Sequence, residues 1–117
     1  MAIAATLWAR QPAEELLSLY GPGPFDAARG EKMWNETHMI KGEKMSCTTC
    51  HGADLSKGGK HYKSGEPIDP MAPSVTATRF DDPKHTRKWF KRNCKEVLGR
   101  ECTPQEKGDF MLFILSK

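Results

Sequence analysis

A small all-α domain is the fold this sequence predicts, and three observations predict it. Helix starts with capping or proline signals occur at Asp26, Asp82-Pro83 and Thr103-Pro104. No segment shows the clear apolar–polar alternation of a strand, and no internal repeat is visible. The 117 residues make one domain, 1–117, with 38% apolar residues. A domain of that size buries only about two-thirds of its unfolded surface, so short helices need something more to pack around.

The opening stretch, residues 1–9, is apolar but too short for a secretory signal and lacks its basic leader. Residues 1–10 are therefore read as an added or accessory beginning, with Met1 an extra initiator. Ile3, Leu7 and Trp8 would equally suit a short packing helix. Pro12 sits at the first position of a helix over residues 12–20, with Leu16, Leu17, Leu19 and Tyr20 on its apolar side. Gly21-Pro22-Gly23-Pro24 ends it. Asp26 caps a second helix to about Glu36, on which Gly30 and Trp34 lie one turn apart. The glycine admits a neighbouring helix and Trp34 covers the joint. Periodicity fails over residues 41–73, where a Gly-, Pro- and Lys-rich run reads as a wrapping loop. Asp82-Pro83 opens a third helix, to Leu98, stopped by Gly99. Thr103-Pro104-Gln105-Glu106 is a capping box that opens a last helix to Leu115.

A net charge of +3 is too mild to argue for nucleic acid and suits docking to an acidic protein. No run of 18 apolar residues exists, so no transmembrane segment is expected.

The chemistry lies in Cys47-Thr48-Thr49-Cys50-His51. C-x-x-C-H is the attachment pattern of c-type haem. Two thiols three positions apart each add to one vinyl group, and the following histidine becomes an axial ligand of iron. One copy implies one covalent haem c. The alternatives are half a zinc site, which needs four matched ligands, or a redox C-x-x-C, which needs a βαβ setting. Neither context is visible. Thioethers of this kind form outside the cytoplasm, so the expected location is the periplasm. Cys94 and Cys102 remain. In an oxidising compartment they are expected to pair, with two free buried thiols as the alternative.

The second axial ligand decides whether the iron only passes electrons or also binds gases. Met71, between Pro70 and Pro73, is the natural methionine, although it lies only 20 residues after His51. Met111 belongs to the last helix, and Met33, Met39 and Met45 precede the motif. His38, His61 and His85 are candidates in polar segments. Asn93 stands apart. With Trp89 and Val97 it forms a stripe on the apolar side of the third helix. A buried amide needs a partner, and 42 residues separate Asn93 from His51. Iron, a haem propionate and the backbone are all open partners on this pattern.

Three blocks carry a resemblance: residues 46–54 around the motif, residues 65–74 with Arg79-Phe80 after them, and residues 92–104, Arg92-Asn93-Cys94 to Cys102-Thr103-Pro104. From about Ala28 to the C-terminus they resemble the sphaeroides haem protein (SHP) family. The related cytochrome c″ proteins resemble the last block but carry His at the place of Asn93. Met71 departs from the apolar residue expected at its place. The resemblance implies a small class I cytochrome c fold that binds oxygen. It implies Asn93 as a ligand of ferric iron that leaves on reduction, and a Cys94–Cys102 disulfide beside it. The reduced site would then take O2, NO or CO. Nitric oxide dioxygenation is within that range, with electrons from a redox partner such as a dihaem cytochrome c. No catalytic side chain beyond the ligands is implied. A His/Met electron carrier and a gas sensor are the competing functions. Lys57, Lys60, Lys63, Arg79, Lys88 and Arg92 are expected to form a basic docking rim.

Overall fold

The computed structural model describes residues 15–117. The accessory beginning, and with it the proposed packing of Ile3, Leu7 and Trp8, lies outside the described residues. Residues 15–19 are helical (α1) and bury Leu16 completely. Then follow α2 (Ala27–Asn35), β1 (His38–Ile40), β2 (Glu43–Met45), α3 (Cys47–His51), β3 (Gly59–Lys60), β4 (Pro67–Ile68), α4 (Pro83–Leu98) and α5 (Pro104–Leu115).

The helix starts obey their caps. Asp26 accepts from Ala28 N at 2.8 Å. Asp82 accepts from Lys84 N at 3.1 Å and His85 N at 3.2 Å, with Pro83 at the first helical position. In α5, Thr103 Oγ1 accepts from Glu106 N, while the Glu106 carboxylate accepts from Thr103 N at 2.8 Å. Gly99, at φ 73°, ends α4 in the left-handed conformation that glycine adopts most easily.

Two short antiparallel ladders interrupt the expected all-helical connection. β1 pairs with β2 around the Lys41-Gly42 turn, and β3 pairs with β4. Strands of two or three residues are too short to display an alternating pattern, so periodicity could not announce them. The local signal was the turn: Lys41 and Gly42 both have positive φ, as a two-residue hairpin turn requires.

α2 packs mainly against α5. Their backbones touch at Gly30, where a Cβ would overlap the Asp109 carbonyl and press on Phe113. Asp109 is buried there, yet every direction from its carboxylate is used. It accepts from Asp26 N at 2.7 Å, Arg29 Nε at 3.0 Å and Gln105 Nε2 at 3.1 Å. Burial pushes this carboxyl up, but the Arg29, Asp26 and Gln105 hydrogen bonds outweigh it and hold the group below the usual carboxylate range.

Candidate haem site

α3 is one short helical turn laid against this joint. Ser46 N donates to Thr49 Oγ1 at 3.0 Å at its start, and Gly52 at φ 75° ends it. Trp34 of α2 secures the turn from below. Its ring lies 5.2 Å from that of His51 and 5.9 Å from Phe113, and its Nε1 donates to Gly52 O at 3.4 Å. β3 crosses close over the turn, because Gly59 has no Cβ to overlap the Cys50 carbonyl. The sequence reading gave Trp34 only the helix joint; its second contact, on His51, comes from chain crossing.

Cys47, Cys50 and His51 open together into a cavity of about 590 Å³, within the usual range of about 300–1,000 Å³ for sites of organic ligands. Trp34, Phe80, Phe90, Val97, Phe110 and Ile114 make much of its wall. Phe80 holds φ 69°, a costly conformation for an aromatic residue, and is buried in that wall.

The donor set fits a covalent haem. Cys47 and Cys50 carry no disulfide. Burial pushes the Cys47 thiol up to about 12 and also raises that of Cys50, so both stay protonated at neutral pH. A zinc site needs four matched ligands, and no group of three or more His, Cys, Asp or Glu among the described residues could hold a metal ion. Burial, with the charge of Arg79 second, lowers His51 to about 4. Its imidazole is therefore neutral and ligand-competent. His51 Nδ1 is buried without a hydrogen-bond partner.

α4 forms another part of the wall. Asn93 is half-buried and lines the cavity, with Val97 buried one turn further on. Trp89, on the same stripe, is 39% exposed and carries the Arg92 guanidinium 5.2 Å from its ring centre. Cys94, next to Asn93, is joined by a disulfide to Cys102 at the start of α5, with a Cα–Cα distance of 5.6 Å.

The other candidate ligands divide. Met71, His61 and His85 line the cavity; Met33, Met39, Met45, Met111 and His38 do not. Both nitrogens of His61 are engaged, Nε2 with Glu96 at 3.3 Å and Nδ1 with the N–H groups of Lys63 and Ser64. His85 Nε2 accepts from Trp89 Nε1. Arg79 departs from expectation. It belongs to the cavity wall and not to a basic rim, because Nη2 donates to Pro70 O at 2.7 Å and draws the side chain inward.

The family described as Domain of unknown function (DUF1924) matches residues 21–114. Cytochrome c-type protein SHP of Cereibacter sphaeroides is 43% identical over 95 residues, covering 80% of this chain and 73% of that protein. Cytochrome c″ of Methylophilus methylotrophus is 33% identical over 76 residues, 65% of this chain and 53% of that one. Among solved structures, oxidised SHP, an oxygen-binding cytochrome c, superposes with a TM-score of 0.82 at 40% identity over 92% of this chain and 97% of its own. The solution structure of cytochrome c″, which concerns haem-ligand detachment in that protein, superposes with a TM-score of 0.76 at 26% identity over 92% and 95%.

Proposed function

Because the chain belongs to the DUF1924 family and to that of SHP, c-type cytochromes with a single covalent haem, we propose that it is a gas-binding haem protein gated by Asn93. Cys47 and Cys50 would hold the group by thioethers, and His51 would be a ligand of its iron. The observation that carries the reading is that one cavity has the C-x-x-C-H turn in one part of its wall and Asn93 in another. Bound haem would supply a redox-active iron able to bind a diatomic gas.

Asn93 would offer its amide oxygen to the oxidised iron. An amide oxygen is a hard, neutral donor, better matched to iron(III) than to iron(II). Asn93 would let go on reduction, leaving the haem able to take O2, NO or CO. Oxygen binding in SHP and ligand detachment in cytochrome c″ support this reading. The Cys94–Cys102 disulfide ties the backbone beside Asn93 and limits how far the side chain swings. The freed Asn93 Nδ2 stays near to donate a hydrogen bond to the guest. The aromatic wall keeps bulk water out, which strengthens that bond.

Within this reading the protein consumes nitric oxide by dioxygenation, in the periplasm, with electrons from a dihaem cytochrome c. Among the described residues no helix is long and apolar enough to cross a membrane. A His/Met electron carrier is the second reading, since Met71 lines the same cavity.

Ferric and ferrous spectra of wild type and Asn93→Ala test the proposal. Asn93→Ala should change the ferric spectrum and leave the ferrous one five-coordinate and reactive with CO. An unchanged ferric spectrum, or a six-coordinate ferrous wild type without added ligand, overturns it. A sulfur-to-iron charge-transfer band lost in Met71→Leu selects the carrier. Turnover of nitric oxide with a reductant distinguishes the enzyme from a sensor.

A further inference from the structure

Arg79 is a half-buried cation that makes no ion pair with a carboxylate, although the charge of Asp69 reaches it. Its side chain lines the cavity near enough to His51 for its charge to act on that imidazole. None of the ion pairs among the described residues includes it. Two backbone carbonyls fix the guanidinium plane: Nη2 donates to Pro70 O at 2.7 Å and to Asp69 O at 3.4 Å. Nε is fully buried and has no partner. Guanidinium donors form a rigid fork that matches a carboxylate, and a buried donor left without an acceptor is unfavourable. Asp69 acts on Arg79 only through space, so an anion in contact with Nε would come with the ligand.

A haem brings two such anions, its propionates. We propose that Arg79 pairs with one haem propionate through Nε, and so fixes the seating of the group and its reduction potential. The inference rests on the reading that this cavity takes haem; it does not depend on Asn93. Pairing keeps that propionate ionised across the neutral range. It also places a fixed positive charge beside the site, which favours the reduced, less positive state.

Without Arg79 the propionate becomes easier to protonate. In acid, the lost guanidinium charge and the lost carboxylate charge nearly cancel, so the midpoint potential approaches that of wild type. In alkali, the carboxylate is ionised and unpaired, and the potential drops. The other titratable groups of the wall, among them Asp69, Asp81 and the His61–Glu96 pair, are common to both proteins and cancel in the difference.

Spectroelectrochemical titration of the holoprotein between about pH 5 and 9 measures this. Arg79→Gln should converge with wild type in acid. In alkali it should fall below by about tenfold in the reduction equilibrium constant, about 59 mV for one electron. Arg79→Lys, which keeps the charge, should recover most of the difference and remains readable if Arg79→Gln loads poorly. A Gln variant that tracks wild type at every pH overturns the proposal. So does an equal shift in the Gln and Lys variants, which would assign the residue to its backbone contacts alone. Resonance Raman supplies a readout of geometry: the propionate bending mode should move in Arg79→Gln, and a static mode counts against the pair. Wild type without covalent haem by mass would remove both this inference and the proposed function; intact CO binding beside an inert Arg79→Gln would remove only this one.

Discussion

At the α2–α5 joint the buried carboxylate of Asp109 receives hydrogen bonds from Asp26, Arg29 and Gln105, while in the cavity wall His51 Nδ1 and Arg79 Nε find no partner. The two regions lie back to back, joined by Trp34, which touches Phe113 on one side and His51 on the other. The joint is complete in protein atoms alone. The wall gathers aromatic side chains and an Arg79 Nε that no protein atom satisfies. In a domain this short, one half of the core is built by helix packing and the other by the group it holds.

That difference can be broken at either side, and the largest effect is expected at the wall. Cys47→Ala with Cys50→Ala should abolish covalent haem, read as the unloaded mass of the denatured chain. Backbone protection in hydrogen exchange should then fall first over residues 52–82 and in α4, where packing depends on the group. Equal loss in α2 and α5 would show that the joint is not self-sufficient.

Next come changes at the joint, which should cost stability and spare the haem spectrum. Asp109→Ala leaves Arg29 and the Asp26 N–H without their acceptor and should destabilise by roughly 3 kcal/mol in denaturant titrations. Gly30→Ala drives a methyl group into the Asp109 carbonyl and should cost about 2 kcal/mol. A changed ferric spectrum in either variant would mean that the two halves are mechanically coupled through Trp34.

The smallest effect sharpens the comparison by pH. The hydrogen bonds from Arg100 hold Glu106 down at about 2, helped by Thr103. Its folded value lies below the unfolded one, so its contribution is complete above about pH 4.5 and fades as pH falls towards 2. Glu106→Gln should lower stability by about 1 kcal/mol at pH 7, discounted for partial exposure. The loss should vanish in strong acid, where wild type is protonated too. A loss that persists there would assign Glu106 a packing role.

Much of this molecule is local in origin. The caps at Asp26, Asp82 and Thr103 and the stop at Gly99 depend on residues a few positions apart, and the C-x-x-C-H turn is shorter still. Gly30 and Trp34 already marked the helix crossing by their spacing. The two hairpins escaped notice because two or three residues per strand carry no period. Arg79 was misjudged because a cation in a loop reads as solvated until a carbonyl on another turn, here Pro70, is known to draw it inward.

By itself, then, the order of residues determined the helices, their ends and the means of attaching a haem, since those rest on contacts within one or two turns of chain. Tertiary structure decided what lines the cavity together: His51, Asn93 and Arg79, with His61 diverted to Glu96. Such meetings depend on where separate segments cross, and crossing is set by close packing of buried surfaces, which no local spacing encodes.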